Sequence, residues 1–226
     1  MEKIQIDYEK FMSYAPIKPG IVHLHQGLVY KNSPNSHEIV TAINQSKTNP
    51  VFQHFSIPLA YLYIEDLYFG YIYQFNNQLH QVEDAEYLKI IKNTEDFAIK
   101  LISIIEKLNS LNMCYWDFHR NNIFSDNFGN PFIIDYDDMK VSPNSVNKYH
   151  QAKYLTEYLL NLYLKQEKTL SQFLREPMIQ RYFSDQTLEY IRNLISRTGE
   201  CSDLPYCIID ELSNPIKREV IKSRIK

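Results

Sequence analysis

The sequence of 226 residues has few cysteines and glycines and no long apolar run. Its 3 cysteines show no Cys-x-x-Cys spacing, which argues against structural disulfides or a zinc site and favours a reducing compartment. Its 5 glycines form no Gly-x-Gly-x-x-Gly, so a glycine-rich phosphate-binding signature is missing. No apolar run approaches the length of a membrane span, so stable membrane insertion is not expected.

The chain also lacks a strong excess of charge of either sign. Its net charge of −3 and its pI of about 6.2 make nucleic acid an unexpected partner. Hydrophobic residues form 44% and charged residues 23% of the chain, as in ordinary globular proteins. The first residues lack the apolar core of a signal peptide. We therefore expect a cytoplasmic protein, although a translocated effector would show the same features.

The most informative stretch carries polar residues at both ends of a predicted hairpin. Apolar runs at 123–124 and 132–134 flank a polar segment with Asp, Asn and Gly, which predicts two antiparallel strands. Asn122 precedes the first strand, Asp135 follows the second, and Asp117 lies on the entering loop, so these side chains should converge. Their oxygens suit a hard cation such as Mg²⁺. An acidic surface hairpin is the alternative, but it explains only the composition of the tip.

The pattern Asp117-x-His119-x-x-Asn122, followed by Ile-Asp135, resembles the catalytic loop and metal-binding acid of the kinase-like phosphotransferases. Within that superfamily it is most similar to the aminoglycoside and choline kinase branch and to small atypical bacterial kinases. The resemblance implies that Asp117 is the catalytic base and that Asn122 and Asp135 bind Mg²⁺. It also implies that His119 is a structural group near the metal-binding acid.

The motif departs from the family at two positions. Tyr115 stands two residues before Asp117, where the family usually has His or a small residue. Tyr136 follows Asp135, where the family usually has Phe or a close relative and then Gly. Neither change removes an implied ligand.

The resemblance also implies a nucleotide site in the first third of the chain. Lys31 ends a Val-Tyr-Lys strand and is similar to the lysine that contacts the α- and β-phosphates, with Glu38 as its orienting partner. The alternatives are a surface lysine and a first-turn glutamate favoured by the helix dipole. The adenine of ATP is expected against the linker formed by Gln74, Phe75 and Asn76.

Periodicity predicts strands in the first third of the chain and helices after it. Tight turns are expected near residues 26 and 65, a short helix follows Ser36, and amphipathic helices begin near residues 94 and 147. His23 and His25 share one strand face without an adjacent third ligand, so we expect them to face solvent. The predicted fold is a two-lobed α+β protein-kinase-like fold. It has a reduced β-rich N-terminal lobe with one helix at 1–76 and a mostly helical C-terminal lobe at 77–226.

The implied function is transfer of the γ-phosphoryl group from ATP, with Mg²⁺, to a hydroxyl of an unidentified protein or small-molecule acceptor. A pseudokinase that serves as a nucleotide-binding scaffold or sensor is one alternative, favoured by the missing glycine motif. A nucleotidyl transferase on the same fold is another. No acceptor pocket can be traced from the sequence.

Overall fold

A mixed sheet forms the first part of the computed structural model, which describes residues 1–197 and 205–225. Its strands are β1 (Glu2–Ile6), β2 (Ala15–Lys18), β3 (Val22–His25), β4 (Leu28–Asn32), β5 (Pro58–Ile64) and β6 (Leu67–Gln74). They lie in the order β1-β5-β6-β4-β3-β2. β1 pairs in parallel with β5, and the other neighbours are antiparallel.

Two tight turns set the register of this sheet. Gln26 and Gly27, with φ of 51° and 76°, join β3 to β4. Glu65 and Asp66, with φ of 49° and 64°, join β5 to β6. Positive φ at both central residues is the type I′ geometry whose twist matches that of antiparallel strands. The turns predicted near residues 26 and 65 are therefore confirmed.

Two short helices, α1 (Tyr8–Ser13) and α2 (His37–Ser46), pack on this sheet, and a 3₁₀ helix at Pro50–His54 follows α2. The predicted helix after Ser36 is thus confirmed. The expectation that His23 faces solvent is wrong, because Phe11 of α1 packs 4.3 Å from its ring and leaves it 1% exposed. His23 Nε2 accepts the Gly20 N–H, and its Nδ1 lies 3.1 Å from the Tyr14 carbonyl oxygen.

The remainder of the chain is mostly helical. Its helices are α3 (Val82–Tyr87), α4 (Thr94–Ser110), α5 (Ser145–Leu164), α6 (Leu170–Arg175), α7 (Pro177–Tyr182), α8 (Asp185–Ser196), α9 (Tyr206–Ser213) and α10 (Pro215–Lys222). α4 buries one apolar stripe as its i, i+4, i+7 spacing predicts, and Asn93 caps its first turn. α5 contributes the second long buried face.

Two small sheets hold the loop between α4 and α5. β7 (His80–Gln81), β9 (Ile123–Ser125) and β10 (Pro131–Ile133) form one of them, in the order β10-β9-β7. β8 (Met113–Cys114) pairs with β11 (Lys140–Val141) to form the other. The polar stretch from residue 115 to residue 139 is therefore anchored at both of its ends.

One large apolar core runs from α2 and the sheet residue Tyr71 through α4 and α5 to α10. The mixed sheet followed by helices confirms the predicted α+β fold class, whereas the boundary at residue 76 stays a prediction. Cys114 and Cys207 are free thiols, and Cys201 lies outside the described residues. Within the described ranges, no helix has the length and apolar character needed to cross a membrane.

Candidate active site

The hairpin β9–β10 brings the predicted metal-binding residues to the same end, as expected. Ile123 lies opposite Ile133 in the antiparallel register. The N–H of Ile134 donates to the carbonyl oxygen of Asn122 at 3.1 Å, which places Asn122 beside the residue preceding Asp135. The predicted hairpin and the predicted position of its two polar ends are therefore confirmed.

The carboxylate of Asp117 is held by neighbouring side chains. Asn122 donates from Nδ2 to Asp117 Oδ2 at 2.6 Å, and His119 Nε2 lies 3.4 Å from Asp117 Oδ1. The Tyr115 hydroxyl donates to the Asp117 backbone oxygen at 2.8 Å, and Tyr115 is fully buried. The Asp117 side chain nevertheless keeps an exposure of 35%, so it is oriented and still accessible.

Lys31 forms ion pairs with two carboxylates across the site. Its Nζ lies 2.6 Å from Asp135 Oδ1 and 2.7 Å from Asp137 Oδ2. The lysine is only 5% exposed. Asp137 also accepts the Tyr71 hydroxyl at Oδ1, at 2.8 Å. The sheet and the segment after β10 are therefore joined by a buried charge and a buried hydroxyl.

The register of the sheet explains why Lys31 and Tyr71 reach the same acid. The two residues are direct partners in the pairing of β4 with β6, so their side chains leave the same face. Gly70 makes this pairing possible, because a Cβ there would lie 1.9 Å from the Lys31 carbonyl oxygen. Tyr71 also stacks on Tyr136, with ring centroids 5.1 Å apart.

Acidic side chains outnumber cationic side chains around Lys31. Partial loss of hydration raises the pKa of Asp138, and the carboxylates of Asp117, Asp135 and Asp137 raise it further. These four aspartates therefore share one electrostatic environment, in which Lys31 is the cation that pairs with two of them. Such an excess of negative charge favours the binding of a cation.

Two side-chain oxygens of the site have no partner within the described protein, and they fit an Mg²⁺ ion whose other ligands are water and phosphate oxygens. The Nδ2 of Asn122 donates to Asp117, and Asp135 uses Oδ1 for Lys31 and for the Asp137 N–H. Asn122 Oδ1 and Asp135 Oδ2 have no such partner among the described residues. In the same described part of the chain, no three His, Cys, Asp or Glu side chains are grouped so that they could hold a metal ion. Two protein oxygens with water and phosphate are a usual shell for Mg²⁺.

The structure does not bring the predicted partner Glu38 to Lys31. Glu38 is exposed in the first turn of α2, and among residues 1–197 and 205–225 the ion pairs of Lys31 are those with Asp135 and Asp137. The resemblance implied this pairing from the place of Glu38 on the helix after Lys31, and the structure does not form it. The acids that reach Lys31 lie far along the chain and are delivered by the hairpin.

The predicted adenine linker lies at the end of β6 and is exposed. Gln74 Nε2 and the Phe75 N–H both donate to the Gly27 carbonyl oxygen, at 2.8 and 2.9 Å. Asn76 Oδ1 accepts the Gln78 N–H at 3.0 Å. The donors of Gln74 and Phe75 are therefore engaged within the protein, and the role of this linker stays a prediction.

A cavity of about 720 Å³ opens beside the loop that carries Asp117, and we call it the loop cavity. His119 and Arg120 line it together with residues of α3, α5 and α6. His119 connects it to Asp117, which it approaches at 3.4 Å. Arg120 pairs with Glu167 at the cavity, at 2.6 Å. Sequence reasoning missed this cavity, because its walls come from separate segments that share no pattern.

Comparisons with known proteins find similarity at the level of structure. No family model matches the chain, and no curated protein matches it. Among solved structures, it is similar to the ROP18 kinase domain in complex with AMP-PNP and sucrose, with 12% identity and a TM-score of 0.50. The match covers 89% of this chain and 72% of that chain. The chain therefore has a kinase-like fold.

Proposed function

We propose that this protein is an ATP- and Mg²⁺-dependent phosphotransferase that moves the γ-phosphoryl group of ATP to a hydroxyl of a protein or small-molecule acceptor. The observation that carries the proposal is the meeting of Asp117 and Asn122 with Asp135 and the buried Lys31 in a kinase-like fold. The ammonium of Lys31 is fixed in place and is surrounded by more carboxylates than it can neutralise. Such an arrangement suits a polyphosphate that binds together with a divalent cation.

Each residue has a separate task in the proposed reaction. Asn122 Oδ1 and Asp135 Oδ2 would hold Mg²⁺, whose charge offsets that of the transferred phosphate. Lys31 binds the phosphates of the nucleotide. Asp117 accepts the proton of the acceptor hydroxyl through Oδ1, the oxygen that Asn122 leaves available. A bond forms from the acceptor oxygen to the γ-phosphorus, the bond from that phosphorus to the bridging oxygen breaks, and ADP leaves.

The loop cavity supports a place for the acceptor. Its volume of about 720 Å³ lies in the range of about 300–1,000 Å³ found for small-molecule sites. It also admits a side chain of a protein. Asp117 itself does not line the cavity, but His119 does and lies 3.4 Å from the Asp117 carboxylate, so the cavity adjoins the proposed base through this side chain. Glu83 and Glu157 line the same cavity, which favours a polar acceptor.

Binding without transfer is the second candidate function. Two observations favour it: Glu38 does not pair with Lys31, and the Gly20 N–H, between β2 and β3, donates to His23 and is therefore not available to a phosphate. A pseudokinase needs no base, however, and the bonds that Tyr115 and Asn122 donate to Asp117 would then have no catalytic use. Nucleotidyl transfer would use the same residues with the nucleotide reversed.

The test is ATP turnover with Mg²⁺, with a cell extract as the source of acceptors, followed by mass analysis of the extract. We expect an added phosphate, whereas an added AMP would identify nucleotidyl transfer and no addition would identify a binding protein. Asp117→Ala and Asp135→Ala should each lower turnover by about 10² or more and keep the circular dichroism spectrum.

The matched control is Asp96→Ala, which removes an exposed aspartate that pairs with Lys100 on α4. An exposed i, i+4 pair contributes about 0.3–0.5 kcal/mol, so this variant should keep full turnover. Turnover that survives both active-site substitutions would show that the proposed site is not the one that reacts.

A further inference from the structure

The lysine of the site is held by two acids whose remaining bonds differ. Asp135 offers Oδ1 to Lys31 and to the Asp137 N–H, and its Oδ2 has no such partner among the described residues. Asp137 offers Oδ2 to Lys31 and Oδ1 to the Tyr71 hydroxyl. Asp135 therefore keeps an oxygen for a cation, whereas both oxygens of Asp137 are engaged within the protein.

Because of this difference, Asp135 can bind a cation while Asp137 remains paired with Lys31. A cation on Asp135 would draw on the negative charge that Lys31 also uses, so the pair between Lys31 and Asp135 weakens when the cation arrives. Lys31 is only 5% exposed and cannot rely on water to replace the lost interaction. A second carboxylate that keeps its ion pair with the lysine would compensate for this loss. Asp137 is such a carboxylate, because its Oδ2 lies 2.7 Å from Lys31 Nζ.

Tyr71 supplies the fixed support that a positioning acid requires. Its hydroxyl donates to Asp137 at 2.8 Å, and its strand β6 pairs with the strand of Lys31. Tyr71 is fully buried and stacks on Tyr136, so the donor has little freedom to turn away. Lys31, Tyr71 and Asp137 therefore form a closed triangle between the sheet and the segment after β10.

We propose that Asp137 is the positioning residue of Lys31, the role that the sequence assigned to Glu38. Asp137 keeps the ammonium directed at the nucleotide phosphates while Asp135 engages the cation. The inference rests on the proposed nucleotide-binding function, and it adds a residue and a division of roles to it. Loss of the Asp137 charge should leave Lys31 bound to Asp135 alone, where it competes with the cation.

The experiment is a double-mutant cycle read by nucleotide binding rather than by activity. The affinity of AMP-PNP with Mg²⁺ is measured for the wild type, Asp137→Asn, Lys31→Met and the double variant. The single oxygen of the substituted amide still accepts the Tyr71 hydroxyl, so the change removes the negative charge and the oxygen that faces Lys31. We expect Asp137→Asn to weaken binding about tenfold with Lys31 present and less than about twofold in the Lys31→Met background. Glu38→Gln should leave the affinity unchanged.

The outcomes separate this inference from the proposed function. A wild-type protein that does not bind AMP-PNP would contradict the nucleotide site itself. A wild type that binds, combined with equal losses from Asp137→Asn in both backgrounds, would assign Asp137 a merely structural role and overturn the inference. A loss caused by Glu38→Gln would do the same. If Asp137→Asn fails to fold, Tyr71→Phe replaces it in the cycle, and its effect must likewise vanish when Lys31 is absent.

Discussion

Lys31→Met tests the charge arrangement of the site directly, because methionine matches the lysine side chain as far as Cε and lacks the ammonium. Asp135 and Asp137 would then face each other with no cation between them. The two carboxylate oxygens approach the same Nζ at 2.6 and 2.7 Å, so they lie at most about 5 Å apart, the sum of these distances. Like charges at that separation oppose folding, and the variant should be less stable than the wild type.

The size of the loss follows from this distance and from the exposure of the acids. Two unit charges about 5 Å apart repel by about 3 kcal/mol at an effective dielectric constant of about 20 and by about 0.8 kcal/mol in bulk water. In the wild type the attraction of Lys31 to both acids offsets this repulsion, and the variant loses that attraction. Because the Asp135 and Asp137 side chains are 34% and 29% exposed, we expect a net loss on the order of these two values. For a chain of this size, each kcal/mol lowers Tm by about 2–4 °C.

Thermal unfolding of four proteins decides whether this reasoning holds: wild type, Lys31→Met, Asp137→Asn and the double variant. In the Lys31→Met background, Asp137→Asn should raise Tm, because it removes the repulsion and keeps an acceptor for Tyr71. A Lys31→Met protein as stable as the wild type would refute the calculation. So would a double variant less stable than Lys31→Met. Lys100→Met, at an exposed pair on α4, is the control and should cost at most about 0.5 kcal/mol.

Three further predictions concern the surroundings of the site. The pKa of Asp138 in the folded protein lies above its ordinary value of 3.8, so folding loses stability as pH rises through this interval. Asp138→Asn should therefore be more stable than wild type at neutral pH and equal to it below about pH 3, measured by thermal unfolding. Tyr115→Phe removes the 2.8 Å donor of the Asp117 carbonyl oxygen and leaves it the 3.3 Å bond from Asn122 Nδ2. We expect a loss of about 1 kcal/mol in urea unfolding and a lower kcat at unchanged KM for ATP. Glu83→Gln, at the loop cavity, should raise KM for the acceptor and leave KM for ATP unchanged in steady-state assays.

Local patterns predicted the elements whose signal is contained in a short stretch of sequence. The turn at Gln26-Gly27 and the hairpin after Asn122 carry turn residues between apolar runs, and α4 repeats apolar residues at helical spacing. β1 was missed because it pairs with β5, a strand more than 50 residues away, and a short parallel edge strand has no local signature.

In the candidate site, too, the contacts between residues close in sequence were predicted and a contact between distant residues was not. The motif placed Asp117 against Asn122, since five residues of loop can bring them together. The resemblance implied Glu38, on the helix after Lys31, as the partner of this lysine, whereas the structure supplies Asp137 from beyond the hairpin. No periodicity or spacing relates a strand lysine to an acid more than 100 residues later. Such a contact depends on how the sheet packs against the helical part, which the sequence pattern does not record.

The buried tyrosines beside the candidate site give a physical reason for one departure from the kinase pattern, the tyrosine at position 115. Tyr71 and Tyr115 donate hydroxyl hydrogen bonds to Asp137 and to the Asp117 backbone oxygen. Burial raises the pKa of both phenols well above 10, so they remain neutral donors throughout the physiological range. A neutral donor orients these groups without offsetting negative charge. A cationic side chain at position 115 would reduce the negative charge on which the proposed Mg²⁺ site depends, so tyrosine at this position is compatible with the proposed phosphoryl transfer.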